Sequence, residues 1–212
     1  MADSAFPTGG FAHSGGLEAA WQQGELANPG ELASFIRASL CQLGRASLPF
    51  VTAAHANPGN WLELDRLCDT FNTNHVANRA SRLQGQALLA SAERIFATHQ
   101  LEQLRQSARQ TGAFYHFAPV FGVTTNALGI DFMPAARLFF FIHLRGLVTG
   151  AIRLGIIGPL EGQALLHSFA AQAEEVLLRC RNLTREQIAQ PSPLLELFQA
   201  NQDRLYSRLF QS

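Results

Sequence analysis

Behind Asn28-Pro29-Gly30-Glu31 the apolar residues Leu32, Phe35, Ile36, Leu40 and Leu43 return at steps of three and four, the spacing of a helix buried along one face. The tetrapeptide itself supplies a capping side chain, a proline at the first helical position and a glutamate three residues after the cap. The same logic predicts a short helix ending near Gly24 and further helices over about 48–56, 61–74, 75–98, 101–111, 119–128, 134–154, 159–181 and 193–206. Between them stand Asn57-Pro58-Gly59-Asn60, Gly112, Gly129-Ile130-Asp131, the glycines of 155–158 and Pro191-Ser192-Pro193. No alternating apolar and polar run bounded by hairpin turn residues occurs, so nothing in the chain asks to be a half-buried strand. The expected fold is therefore all-α, one domain over 1–212.

A chain of 212 residues can bury roughly 70% of its unfolded surface and normally forms one domain. The window 138–160 is the most apolar, but Arg145 and Arg153 and several glycines interrupt it. Spanning a membrane would require about 20 lipid-compatible residues, so the window reads as a core helix. The expected architecture is a bundle of roughly eight to ten helices around this glycine-containing apolar helix. Arg145, Thr149 and Arg153 fall at i, i+4 and i+8 and form one polar stripe on it. Buried guanidinium groups need partners, so these arginines either pair internally, with Glu161 or Glu174, or face an interface.

Charge narrows the function. Sixteen basic residues balance sixteen acidic ones and only 15% of the chain is charged, which argues against a disordered tail or a nucleic-acid-binding surface. All the basic residues are arginine. Without lysine the chain can supply neither the phosphate-binding lysine of a Walker loop nor a Schiff-base amine, so any nucleotide chemistry belongs to a partner. A 47% apolar content with sixteen phenylalanines favours an extensive interface with another protein. Cys41, Cys68 and Cys180 have no CxxC pairing and read as free buried thiols of a reducing cytoplasm. Met1 to Ser4 carries neither a basic n-region nor an apolar h-region, so no secretory signal is expected.

No catalytic cluster emerges. Ala12-His13-Ser14-Gly15-Gly16 imitates a nucleophile elbow, but that chemistry places the serine on a tight turn after a strand. The glycines instead predict a structured turn opening a short helix, with anion binding by its backbone amides the weaker reading. None of the seven histidines lies within a helical turn of another, which disfavours a metal helix; a haem or metal held between helices stays open as an alternative function. Arg79, Ser81, Arg82 and Gln84 form a polar face on the fifth helix, by default a solvated one. The tail, Leu205-Tyr206-Ser207-Arg208-Leu209-Phe210-Gln211-Ser212, is too apolar for a frayed end and is expected to dock on something.

Several segments, in order, resemble the urease accessory protein UreF family. They are 7–18 (Pro-Thr-Gly-Gly-Phe-Ala-His-Ser-Gly-Gly-Leu-Glu), 78–85 (Asn-Arg-Ala-Ser-Arg-Leu-Gln-Gly), 116–122 (His-Phe-Ala-Pro-Val-Phe-Gly), 153–163 and the terminal 206–212. The resemblance implies an all-α homodimeric cytoplasmic scaffold, not an enzyme. It implies partners too: a UreD/UreH-like accessory protein, a UreG-like GTPase and the urease apoprotein, whose nickel centre is installed at the expense of GTP. The tail, with Tyr206, Ser207, Arg208, Leu209 and Phe210, would order on the UreD-type partner. The turn carrying Gly10, Phe11, His13, Ser14 and Glu18 would lie toward the GTPase, and Arg153 would match a basic position controlling it, often lysine in relatives. Arg79, Ser81 and Gln84 complete the candidate partner-binding residues; no cofactor, metal, nucleic acid or membrane is implied. Relatives usually carry more residues before the segment matching Asp3-Ser4, so a late or internal start is expected here.

Overall fold

A computed structural model describes residues 1, 6, 7 and 9–212. The expectation attached to Asp3-Ser4, and Thr8 within the first motif, lie outside the described residues. Among those described the fold is helical without a strand, and the all-α reading holds. The helices are α1 (Leu17–Gln22), α2 (Pro29–Gln42), α3 (Leu48–Ala56), α4 (Trp61–Phe71), α5 (His75–Phe96), α6 (His99–Thr111), α7 (Phe117–Ala127), α8 (Phe132–Arg153), α9 (Pro159–Cys180) and α10 (Pro193–Asn201).

Local chemistry sets the boundaries. Asn28 Oδ1 accepts from Glu31 N at 3.1 Å while Glu31 Oε2 accepts from Asn28 N at 3.2 Å, a reciprocal cap that starts α2 where the sequence places it. Asn74, expected inside the fourth helix, instead caps α5 by accepting from Val76 N and Ala77 N. α7 begins at Phe117 rather than Pro119, because a proline in the first turn gives up only an amide that the helix would not have used. α10 stops at Asn201 rather than Tyr206. The chain then makes a 3₁₀ turn over Gln202–Arg204 and runs on without helix through the tail.

Between α2 and α3 the helix loosens into a π turn, Leu43–Ser47. Pro49 lacks the amide that would bond back to Arg45, and the Arg45 carbonyl accepts from Ala189 N at 3.3 Å instead. A helix break in the sequence thus becomes the anchor for a distant loop.

The helix buried on all sides is α7, whose residues Ala118 to Thr125 are all inaccessible. It lies against α3, α5, α4 and α8. Gly122 lets it approach α3 closely: a Cβ there would sit 2.6 Å from the Val51 carbonyl. Phe117, Phe121 and Phe139 cluster where α7 meets α8, with ring centroids 5.1–5.8 Å apart, Phe117 stacked on Phe139 and Phe121 tilted against both. α8, the expected central helix, has only half of its most apolar window buried. Its outward side carries Phe141, Arg145, Thr149 and Arg153 at successive turns. α9 folds back along α8, tied by the Arg137–Glu174 ion pair at 2.7 Å and by Gly162 packed on Ile152.

The motif 78–85 also works inside the fold. Asn78 donates to Asp69 Oδ1 and the Asn72 carbonyl, and Gly85 admits the backbone of Tyr115, whose carbonyl would lie 1.9 Å from an added Cβ. Gly85→Ala is expected to lower stability by at least about 2 kcal/mol through overpacking against backbone. Gly146→Ala, in open space on α8, should be neutral or gain up to about 1 kcal/mol from helix propensity. Chemical denaturation of the two variants checks the contrast.

Candidate functional site

Gly15 and Gly16 take left-handed conformations (φ 62° and 89°), turning the chain sharply so that α1 starts at Leu17 with Glu18 in its first turn. Gly16 sits against α10, where a Cβ would meet Gln199 N at 3.0 Å. Glu18 is consequently driven inside, 2% exposed, and a buried carboxylate must be matched by donors. The tail supplies them. Leu209 N donates to Oε1 at 2.6 Å, Phe210 N to Oε2 at 3.1 Å and Gln202 Nε2 to Oε2 at 2.6 Å, with Gln22 Nε2 adding a long contact at 3.4 Å.

Around this carboxylate the two ends of the sequence are paired. Gln211 N donates to the Ala12 carbonyl at 2.8 Å, Ser14 N donates to the Ser212 carbonyl, and the His13 ring bonds Ser212 Oγ. Gln22 Nε2 reaches the Ser207 carbonyl at 2.9 Å. Phe210 is buried under Arg153, whose guanidinium lies 4.3 Å from the ring centroid and donates to the Phe11 carbonyl. Arg153 thus touches the turn and the tail at once. Glu161 and Glu174 are engaged elsewhere: Glu161 accepts from Gly158 N at the start of α9, and Glu174 holds Arg137. Arg145 lies over the Phe141 ring at 5.4 Å.

A second clamp holds the segment before the tail. Asp203 takes a two-pronged contact from Arg79 at 2.8 and 3.1 Å, a bond from Arg208 at 3.0 Å and the His75 ring at 3.3 Å. The Arg79 bonds hold the Asp203 carboxyl below its ordinary range. Arg79 therefore joins the site through α5, although it reads as a solvated side chain in the sequence. Ser81 is different: its hydroxyl accepts from Phe117 N and bonds His116 Nδ1, while His116 Nε2 meets Asp69. Asp65, fully buried, accepts from the amides of Phe114, Tyr115 and His116. That network shapes the loop before α7. Gln84 lines a cavity of about 340 Å³ beneath the turn, together with His13, Ser14, Ser81, His143 and Arg153.

The candidate residues Gly10, Phe11, His13, Ser14, Glu18, Arg79, Arg153 and 206–210 therefore converge, with Gln84 below them and Ser81 turned into the fold. Their surface is apolar: Phe11 is 73% exposed, Leu209 52%, and Tyr206 is fully accessible. Sequence reasoning missed Gln202 and Asp203, because a glutamine and an aspartate near a helix end look like ordinary solvated residues. Among the described residues no three histidine, cysteine or acidic side chains gather as a metal site. Two further histidines bond within the fold, His55 to the Ile130 carbonyl and His143 to Ser39 Oγ.

Burial, with the Arg79 charge, pushes His13 down to about 4 from 6.5. A histidine depressed in this way is neutral in the folded site. It adds an increasing penalty as pH falls from 6.5 toward about 4, because the unfolded state takes up the proton first. The Ser14 and Gln211 amides should lose hydrogen-exchange protection across that interval, and His13→Asn should flatten the response. Glu18→Ala leaves the Leu209 and Phe210 amides without their acceptor. We expect it to cost about 1–3 kcal/mol and to expose the tail to proteolysis at neutral pH.

Residues 26–170 match the family model described as UreF. Urease accessory protein F of Oryza sativa subsp. indica is 39% identical over 214 aligned positions, covering 99% of this chain and 82% of the relative. The protein of the same name from Arabidopsis thaliana is 37% identical, covering 100% and 90%. Urease accessory protein UreF of Trichodesmium erythraeum (strain IMS101) is 30% identical, covering 99% and 93%. The turn and the tail fall outside the family match but inside all three pairings.

Proposed function

The chain belongs to the UreF family of urease accessory proteins, and from that premise we propose that it is a non-enzymatic scaffold on which urease receives its nickel. In this reading a cytoplasmic homodimer holds a UreD/UreH-like protein and a UreG-like GTPase on the urease apoprotein and gates GTP hydrolysis. The observation that carries it is the single cluster formed by turn, Arg153 and tail. A partner seated on Tyr206 and Leu209 pulls on the backbone that Glu18 and Arg153 hold. Any such movement reaches Phe11, because the same guanidinium bonds its carbonyl.

The chemistry of the chain fits a gating role better than a catalytic one. Arg153 keeps solvent exposure while one face of its guanidinium rests on Phe210 and one amino group is engaged, so it presents a positioned cation. With no lysine, phosphate binding and hydrolysis fall to the GTPase, and this chain acts on them from outside.

Tyr206→Ala removes a fully exposed side chain and is expected to leave stability within about 0.5 kcal/mol of the parent. It should weaken capture of the UreD-like partner at least about tenfold, the scale of an aromatic interface anchor. Arg153→Ala should retain that capture while lowering the nickel content of co-expressed urease. Co-purification with metal analysis reads both; unaltered capture and nickel in the two variants would sink the reading.

A further inference from the structure

We propose that Cys41 and Cys180 form an oxidisable thiol pair across the contact between α2 and α9, closed into a disulfide by exchange with a low-molecular-weight disulfide such as oxidised glutathione. The geometry starts at Gly44. A Cβ on this residue would lie 3.0 Å from Cys180 Sγ and 3.4 Å from Cys180 Cβ, so the end of α9 rests directly on the helix that continues α2. Cys41 stands three residues earlier on that run, where i and i+3 positions share a face and lie about 5–6 Å apart. The absent side chain at position 44 is what lets the Cys180 sulfur come down on this run, three residues from Cys41.

The two thiols differ as an exchanging pair requires. Cys41 is part-exposed and can meet a reagent from solvent, whereas Cys180 is buried. Burial raises the Cys180 thiol, the Arg45 charge opposes that, the Cys41 thiol adds to it and Arg179 opposes it again. Cys68 lies apart on α4, buried and raised far above the thiol range by burial and by the Asp65 and Asp69 charges, and stays out of the exchange.

The steps balance. The Cys41 thiol loses its proton, the thiolate attacks one sulfur of the glutathione disulfide, and a glutathione thiolate leaves. The Cys180 thiol then loses its proton and attacks the Cys41 sulfur of the mixed disulfide, expelling the second glutathione. Two protein thiols are oxidised and one small disulfide is reduced to two thiols. The bond would tie the α8–α9 hairpin to the layer of α2 and α3, and a dithiol reductant would reverse it.

The purified full-length chain, equilibrated with oxidised glutathione at mildly alkaline pH and then acid-quenched, tests the inference by thiol titration under denaturing conditions and by peptide mass mapping. The expected result is a fall from three free thiols to one, no retained glutathione, and a peptide joining Cys41 to Cys180 within one chain. Cys68→Ser should still lose two thiols, and Cys41→Ser should form no internal bond. The proposal fails if all three thiols survive, if glutathione remains on Cys41 unresolved, if Cys68 enters the bond, or if the link joins two chains. Circular dichroism of each variant separates loss of the pair from loss of the fold.

Discussion

The bonds of the Glu18 carboxyl are the interaction on which the arrangement of turn and tail depends. A carboxyl buried to 2% exposure needs hydrogen-bond donors, and most of those it has come from backbone and side chain at the far end of the sequence. Glu18 therefore decides more than local stability: it fixes where Leu209 and Phe210 lie, and Phe210 in turn gives Arg153 its seat. The exposed side chains of Phe11, Tyr206 and Leu209 surround this one buried carboxyl. The clamp at Asp203 works alongside it on the surface, where its ion pairs steer the chain more than they stabilise it.

The sequence exposes the helices because each start and stop has a local cause, and the cap at Asn28 needs nothing beyond its neighbours. Errors arise where the cause is distant. The last helix reads as continuous to Tyr206 on periodicity, yet it ends at Asn201 because the next residues are drawn to Arg79 and Glu18. Packing adds what periodicity leaves open: α7 and α8 are both apolar, and α7 is enclosed while α8 keeps an outer stripe.

The candidate site was half legible. The turn, the tail and Arg153 each look unusual alone, through glycine density, aromatic ending and a cation in an apolar helix. That the three meet is a tertiary fact, carried by bonds across nearly the whole chain, and no residue pattern encodes it. Internal pairing of Arg153 with Glu161 or Glu174 is physically reasonable, but a carbonyl and an aromatic face satisfy the guanidinium instead. Ser81 shows the opposite case, a polar residue on an apparently solvated face that is committed to the loop before α7.

The closure between Glu18 and Leu209 spans 191 residues, so during synthesis the acid leaves the ribosome long before the Leu209 and Phe210 amides exist. Until then it stays hydrated, the turn has nothing to pair with, and Arg153 has no ring beneath it. The pairing of turn and tail is thus completed only once the chain extends through Phe210. A folding intermediate can hold the helices before these bonds close, so the cluster of turn and tail forms on a bundle already in place.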